Sequence, residues 1–192
     1  MSDAGRENER IAKWNDRYAR GEGHHGFSPA SPLPLVLELS QPGLALDIAC
    51  GAGRHAIYLA EHGWRVVAVD WSAPGLDLMM REAAARGVAS RIEPVVADLE
   101  SEPRGFSIEP ERYDLVCDFF FLDRGLFAEI REGVKPGGLF AAAIHVSAGH
   151  SFVVAPDELE RAVSDWGWEI LHSRREPTSE ILARRPPQSR SL

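Results

Sequence analysis

The segment that most constrains the fold of this chain is residues 44–55, LALDIACGAGRH. An apolar run ends there in a tight glycine turn, and Asp47 lies just before the turn. A helix-like segment, residues 54–62, follows, and a second apolar run, residues 66–69, ends in Asp70. The succession of strand, glycine turn, helix, strand and terminal acid is typical of a nucleotide-binding βαβ unit.

The charge ahead of the turn indicates which nucleotide the unit binds. The letters GAGRHA satisfy the dinucleotide pattern G-x-G-x-x-G/A, so NAD is one candidate. A pyrophosphate on the helix N-terminus would be repelled by Asp47, whereas a cofactor with an ammonium group would be attracted. S-adenosylmethionine carries an ammonium group, lacks phosphate, and has a ribose diol that Asp70 can bind.

The rest of the chain alternates between apolar runs and amphipathic segments. Strands are predicted over residues 45–49, 65–69, 91–96, 113–119, 138–146, 169–173 and 180–183. Helices are predicted over residues 8–19, 33–39, 54–62, 73–86, 125–134 and 156–165, with a helix stop and turn at residues 135–138. Apolar strands that alternate with helices predict a parallel sheet covered on both faces. The short gap between the last two strands predicts a hairpin, so the sheet should end with an antiparallel edge.

Composition narrows the class of protein. The chain has 192 residues, which suits one domain. Its net charge of -8 opposes binding to nucleic-acid phosphates and favours a small-molecule partner. No apolar stretch approaches the roughly 20 residues that span a membrane, and the polar N-terminus does not predict a secretory signal. Cys50 and Cys117 lie in apolar runs, which is typical of core residues in a reduced, cytoplasmic protein.

Several motifs together resemble the class I S-adenosylmethionine-dependent methyltransferases. The matching segments are residues 47–53, 96–99, 113–118 and 134–138, in the order found in that family. Asp70 lies where the family has its ribose-binding acid, and Asp98 where an acid commonly meets the adenine amino group. The resemblance covers residues 44–146. It implies a single Rossmann-like, doubly wound α/β domain with a mostly parallel seven-stranded sheet and an antiparallel last strand.

Within this family the chain is most similar to tellurite-resistance-type and related small-substrate methyltransferases. The segments that carry this likeness are WNDRY (14–18), GRH (53–55), EL (158–159) and GWE (167–169). In those enzymes the N-terminal segment closes over the cofactor, so Trp14 and Tyr18 either cover the site or pack on the sheet. The implied division is a lid segment, residues 1–43, a methyltransferase domain, residues 44–185, and a tail, residues 186–192.

The resemblance also implies a set of cofactor-binding residues at the ends of successive strands. They are Trp14, Tyr18, Asp47, Ala49, Gly51, Gly53, Arg54, Asp70, Trp71, Asp98, Leu99 and Asp118. Some have simpler alternatives, because Asp47 could cap the turn, Asp98 could be a solvated turn acid, Asp70 could cap the following helix, and Trp71 could cover the outside of that helix.

The acceptor side is expected at the end of the fourth strand. Residues 118–121, DFFF, have the acid and the aromatic residue of the tetrad that often marks nitrogen methyltransferases, but neither of its prolines. Methylation of a base or of glutamine is therefore disfavoured, and the phenylalanines are expected to form an apolar wall. Asp118 and His145 are the candidates for catalytic residues, with His150 as a further proton acceptor. The adjacent His24 and His25 are a poor arrangement for one metal ion, so no metal site is predicted.

These features predict methyl transfer from S-adenosylmethionine to a small-molecule acceptor, without a nucleic-acid or membrane partner. The sulfonium is already an activated leaving group, so no catalytic triad is required. Two alternatives stay open. An NAD-dependent oxidoreductase would need a second region with a proton donor, and a non-catalytic S-adenosylmethionine-binding module would account for the short segment between Phe119 and Gly125. The sequence determines neither the acceptor nor whether the protein is a monomer or a homodimer.

Overall fold

The computed structural model describes residues 12, 14–20 and 28–188 of the chain. The strands are β1 Leu44–Ile48, β2 Arg65–Asp70, β3 Ile92–Val96, β4 Tyr113–Phe119, β5 Val134–His145, β6 Glu169–Arg174 and β7 Thr178–Arg184. The helices are α1 (residues 14–19), α2 Leu33–Leu39, α3 Arg54–Glu61, α4 Ala73–Ala85, α5 Phe127–Gly133 and α6 Glu158–Asp165. Short 3-10 helices, Ala89–Arg91 and Arg124–Leu126, precede β3 and α5.

The strands form one seven-stranded sheet in the order β3-β2-β1-β4-β5-β7-β6. The first five strands along the chain pair in parallel, and β7 is antiparallel to both β5 and β6. The predicted α/β fold with an antiparallel last strand is therefore confirmed. The hairpin places β7 inside the sheet and β6 at its edge. Burial differs accordingly, because the central residues of β7 are all buried whereas the ends of β6 are exposed.

The order in which strands are added to the sheet reverses next to β1. From β1 it moves outward through β2 and β3, then returns to add β4 on the other side of β1. Ile48 and Asp118 are paired at the carboxyl ends of these two neighbouring strands. Ligands of doubly wound sheets bind in the crevice at such a switch point.

Two apolar layers cover the sheet. On one face the buried residues include Val36 of α2, Ile57 of α3 and Met79 of α4. On the other face they include Ile130 of α5 and Val163 of α6. Successive strand residues alternate between the two layers, which is why the strands of this sheet are apolar throughout.

Several predicted boundaries move by one to four residues. β5 begins at Val134 instead of residue 138, so the predicted turn at residues 135–138 is wrong in part. The backbone of this segment pairs with the chain after β7, since Gly137 donates to the carbonyl of Arg185 and Arg185 donates to the carbonyl of Gly138. The α5 helix begins at Phe127 instead of residue 125, because a 3-10 turn precedes it.

The N-terminal region is only partly described. Residues 8–11 of the predicted first helix, and the loop that contains His24 and His25, lie outside the described residues. The α2 helix buries Leu33 and Val36 completely against the sheet. The division into a lid segment, a domain and a tail stays a prediction. Among the residues that are described, no helix is long and apolar enough to cross a bilayer.

Candidate cofactor and acceptor site

A cavity of about 690 Å³ lies at the carboxyl ends of β1 to β5. This volume is typical of small-molecule sites. The predicted site residues on its wall are Trp14, Tyr18, Ala49, Gly51, Arg54, Asp70, Trp71, Leu99 and His145. Four other predicted residues, Asp47, Gly53, Asp98 and Asp118, lie behind this wall. The fold therefore brings most, but not all, of the predicted residues to one cavity.

The loop between β1 and α3 is fixed by its own backbone. Ala49, Gly51 and Gly53 have positive φ angles of 51°, 56° and 78°. The N–H of Cys50 donates to the carbonyl of Val69 at 3.0 Å, which ties the loop to β2. Glycine adopts such angles without strain, whereas the left-handed conformation costs Ala49 roughly 1–2 kcal/mol. The shape of the loop is thus set by the fold before any ligand binds.

Asp70 is a buried acceptor held in a fixed orientation at the end of β2. Its Oδ2 accepts a hydrogen bond from the N–H of Gly51 at 2.8 Å, and its Oδ1 accepts one from the N–H of Ser72 at 2.8 Å. Burial raises the pKa of this carboxyl, while the two N–H donors act in the opposite direction. Each carboxylate oxygen keeps a second lone pair. Asp70 can therefore bind two further donors, such as the hydroxyls of a diol.

Asp47 is a buried carboxyl without a hydrogen-bond partner. Its residue surface is 1% exposed, and neither carboxyl oxygen is hydrogen-bonded. Its pKa is raised to about 7, chiefly by burial and to a smaller extent by the charge of the nearby Asp70. The N–H of Ala56 and the charge of Arg54 lower it, although the N–H does not reach hydrogen-bond geometry. An unpartnered buried carboxylate is costly, so a nearby cation would stabilise it. The turn cap that the sequence allowed is not made by Asp47.

Of the other residues behind the wall, Gly53 has a packing role, Asp98 accepts a turn hydrogen bond, and Asp118 is a buried carboxyl with one unpartnered oxygen. A Cβ at Gly53 would collide with the side chain of Met79, so this glycine lets α3 and α4 approach. Asp98 accepts a hydrogen bond from the N–H of Glu100 at 2.8 Å within the turn that follows β3. Asp118 is 1% exposed, and burial together with the charge of Asp47 raises its pKa well above the usual range. Cofactor contact by these residues stays a prediction.

The α1 helix covers the glycine loop. A Cβ at Gly51 would collide with the hydroxyl of Tyr18, and a Cβ at Gly75 would lie 3.2 Å from the ring of Tyr18. Trp14 stacks on Tyr18 with ring centroids 5.8 Å apart, and the Arg17 guanidinium lies 4.9 Å from the Trp14 ring. Burial and the charge of Asp70 raise the pKa of the Tyr18 hydroxyl. Trp14 and Tyr18 thus lie over the part of the cavity that Gly51 and Asp70 line.

The opposite end of the cavity is aromatic. The residues that form it are Phe119, Phe120, Phe121, Phe152, His145 and His150, so the predicted apolar wall is present. Phe121 meets Phe152 edge to face with centroids 4.9 Å apart, and His145 stacks on His150 with centroids 3.5 Å apart. These rings come from the last residues of β4 and β5 and from the chain segments that follow them. We call this the acceptor end, and the region around Asp70 and Gly51 the cofactor end.

Several wall residues escaped the sequence analysis as site residues: Arg17, Cys50, Ala52, His55, Ala97, Glu100, Gly149, Ser151 and Phe152. Arg17 could have been found, because residues 14, 17 and 18 share one face of a helix. The loop at residues 149–152 contains no motif and reaches the cavity only through the tertiary fold. Within the described ranges, no group of three or more His, Cys, Asp or Glu residues could hold a metal ion.

Comparison with known proteins bears on the family of this chain. Residues 45–138 match the sequence model of the family described as "Methyltransferase domain". This match supports the predicted resemblance to the class I S-adenosylmethionine-dependent methyltransferases.

One curated relative is the ribosomal RNA small subunit methyltransferase C of Alcanivorax borkumensis. It is 34% identical over 105 residues, which are 53% of this chain and 32% of that protein. Across the curated relatives, the chain spans about a third to a half of their length.

Two solved structures share the fold. TehB from Haemophilus influenzae is 18% identical with a TM-score of 0.71, over 90% of this chain and 67% of that chain. The 1,6-didemethyltoxoflavin-N1-methyltransferase of Burkholderia thailandensis, solved with its substrate and S-adenosylhomocysteine, is 19% identical. Its TM-score is 0.69, over 97% of this chain and 91% of that chain.

The residues present suit S-adenosylmethionine. Two unpartnered oxygens on the buried Asp47 favour a cation, as an ammonium or sulfonium group provides. Asp70 has fixed acceptors for a ribose diol, and Gly51 has no side chain between the loop and the cavity.

Proposed function

We propose that this protein transfers the methyl group of S-adenosylmethionine to a small-molecule acceptor. The observation that carries the proposal is a single cavity with two different ends. The cofactor end has Asp70 with free acceptor capacity, and the acceptor end has flat aromatic faces. The cofactor supplies a methyl group on a positively charged sulfur, which is an activated leaving group.

The residues of this chain would bind and orient the two reactants. Asp70 accepts from the ribose hydroxyls, Asp47 attracts the positive charge from below the loop, and Tyr18 covers the loop. Ala97 and Leu99 offer apolar contact near the adenine, where Asp98 is the proposed partner of the amino group. Holding the acceptor and the methyl group in line can contribute ~7–11 kcal/mol through effective concentration. The reaction then needs no nucleophilic side chain.

A small acceptor is favoured over a nucleic acid, although the name of the Alcanivorax relative refers to ribosomal RNA. The chain has a net charge of -8, which repels a phosphate backbone. Its wall at the acceptor end consists of aromatic rings that suit a small ring compound. The name of the Burkholderia enzyme, which shares the fold over 97% of this chain, refers to such a compound.

Calorimetric titration with S-adenosylhomocysteine and with NAD, in parallel, tests the cofactor. We expect S-adenosylhomocysteine to bind, and binding of NAD alone would contradict the proposal. Asp70→Ala should weaken S-adenosylhomocysteine binding by about 1–3 kcal/mol, because hydrogen bonds to a charged group are lost. The matched control is Asp77→Ala, which removes an exposed carboxylate from α4. Equal affinities of both variants would mean that the ribose lies elsewhere.

A screen of methyl acceptors that measures released S-adenosylhomocysteine tests the activity. The panel should contain thiols, phenols, nitrogen heterocycles, halides, selenite and tellurite. Release that depends on one acceptor class supports the proposal. Tight S-adenosylhomocysteine binding without turnover on the whole panel would instead support a non-catalytic binding module.

A further inference from the structure

Two imidazole rings form a stacked pair at the acceptor end. Their centroids are 3.5 Å apart with 12° between the ring planes. His145 is half-buried, His150 is exposed, and both line the cavity. Resting on the methyl transfer proposed above, we propose that the His145–His150 pair takes up the proton of the acceptor. The acceptor would be a flat aromatic compound whose nucleophile is an O–H, S–H or N–H group.

The fold holds this pair at the right place. Phe119, the last residue of β4, pairs with Ala143, so β5 runs on past the end of β4 and carries His145 to the cavity. The loop that follows returns at once, because the N–H of Val154 donates to the carbonyl of His145 at 3.0 Å. Gly149 turns the chain with a φ of 101°, directly before His150. The closed loop thereby lays one ring over the other.

The nitrogens of these rings are available for chemistry. The remaining described histidines all use a ring nitrogen: His55 accepts from the N–H of Ala30, His62 contacts the carbonyl of Tyr58, and His172 contacts Glu180. Within the described part of the chain, neither His145 nor His150 makes a side-chain hydrogen bond. A parallel stack also prevents one ring from bonding to the other through nitrogen. Both rings can therefore exchange protons with a ligand or with water.

Stacking sets how many protons the pair can hold. Two imidazolium rings at this separation repel each other, so the pair favours a single proton. That one charge is stabilised by aromatic faces, because the Phe120 ring lies 4.8 Å from His145. Burial and the charge of His150 lower the pKa of His145, so this ring starts neutral.

Other charged groups are part of the same environment. The remaining titratable residues on the cavity wall are Arg17, Tyr18, Cys50, Arg54, His55, Asp70 and Glu100. Arg54 lies over the Phe120 ring, with its Cζ 5.5 Å from the centroid. On β7 the register partner of His145 is the uncharged Thr178. His150 is thus the titratable group stacked directly on His145.

Phe120 is held in a costly backbone conformation that supports this assignment. Its φ is 63°, which is strained for a bulky residue, and its N–H donates to the carbonyl of Ala143 at 2.8 Å. Strain of this kind costs about 1–3 kcal/mol and is found mainly at functional sites. The conformation turns the ring toward His145 and Arg54.

The bonds and the proton of the proposed methyl transfer are accounted for by the groups named above. The nucleophile forms a bond to the methyl carbon while the bond from that carbon to the sulfonium breaks, and the electron pair stays on sulfur. The proton of the nucleophile passes to an unprotonated nitrogen of His145 or His150. The resulting imidazolium returns this proton to water, to which His150 is exposed. An anion such as a halide has no proton to lose, so the pair favours protic acceptors.

The test uses a probe that changes colour on ionisation. We expect 4-nitrophenol, bound to the protein with S-adenosylhomocysteine, to ionise at lower pH than the free compound, measured by its phenolate absorbance. His145→Phe keeps the ring stack but removes a base, and should raise the ionisation midpoint of the bound probe by about one pH unit or more. His62→Gln, a change in a histidine outside the cavity, is the matched control.

Measurement of methyl-transfer rates is the second test of this proposal. With 2-naphthol as acceptor, His145→Phe should lower kcat/KM by about 100-fold, the size of general-base catalysis. With 4-nitrothiophenol, which is already a thiolate at neutral pH, the loss should be below about 5-fold. The proposal is overturned if 4-nitrophenol does not bind, or if its ionisation midpoint is the same in the wild type and His145→Phe. Calorimetry with S-adenosylhomocysteine tests the cofactor proposal separately, because binding of this ligand does not depend on His145. The titration of 4-nitrophenol is repeated without S-adenosylhomocysteine, so that a failure of the cofactor proposal is not mistaken for a failure of the histidine pair.

Discussion

The two ends of the cavity consist of different chemical groups. At the cofactor end, backbone N–H groups of Gly51 and Ser72 fix the carboxylate of Asp70, and buried charge lies beneath the loop. At the acceptor end, the wall is made of aromatic rings, and the side chains of His145 and His150 make no hydrogen bond to described residues. One end is fixed by directional bonds within about 30 residues of sequence. The other lies within residues 119–152 and is assembled by ring packing between the ends of β4 and β5 and the segments that follow them.

This difference indicates how each end can change. A cofactor end that depends on backbone angles and close helix packing tolerates few substitutions. An acceptor end made of rings can change its shape by exchanging side chains while the backbone stays in place. The same fold can thus keep one methyl donor and serve different acceptors.

The strongest test of the rigid cofactor end is Gly53→Ala. We expect it to lower the free energy of unfolding by about 3 kcal/mol, because the new Cβ collides with Met79 in addition to the cost of positive φ. Gly87→Ala is the matched control, since Gly87 has a similar φ of 73° and no neighbouring atoms within 4 Å. Its loss should be about 1 kcal/mol. Equal losses in urea denaturation would show that the helix contact does not matter.

Asp47→Asn tests the buried charge. The pKa of Asp47 is raised to about 7, so folding favours the protonated carboxyl. The contribution of this group to the free energy of unfolding is fully present below the usual carboxyl pKa range and is lost as pH rises through 7. The asparagine variant stays neutral. It should therefore be more stable than the wild type by about 2 kcal/mol at pH 8, with a smaller difference at pH 5. Urea denaturation at both pH values measures this, and a gain independent of pH would contradict it. The variant should bind S-adenosylmethionine more weakly, because the stabilising anion is gone.

The smallest effect is expected at the acceptor end, from Phe152→Leu. This change keeps an apolar side chain but removes the edge-to-face contact with Phe121. Binding of 4-nitrophenol should weaken about 5-fold, close to the 0.5–1.5 kcal/mol of an aromatic pair. The affinity for S-adenosylhomocysteine, measured by calorimetry, should not change. A parallel loss of both affinities would show that the two ends are not independent.

The cofactor end could be predicted to a large extent because its signals are local. Asp70 at the end of a strand and the glycines of the first loop were identified from spacing, and all of them except Gly53 lie on the cavity wall. Gly53 satisfies the same pattern, but what constrains it is contact with Met79 of α4, which the sequence does not indicate. The predicted turn at residues 135–138 failed for a similar reason, because pairing with Arg185 after β7 draws the segment into β5.

The sequence by itself predicted the class of fold, the resemblance to a methyltransferase family and the residues proposed for the cofactor end. Periodicity and glycine spacing act over a few residues, and a strand followed by a helix must place its terminal acid at the edge of the sheet. Only the tertiary structure decided the acceptor end. The φ of Phe120, the return of the loop at residues 149–152 and the stack of His145 on His150 depend on long-range packing and on the extra length of β5 beyond β4. Such contacts leave no periodic signal in the chain.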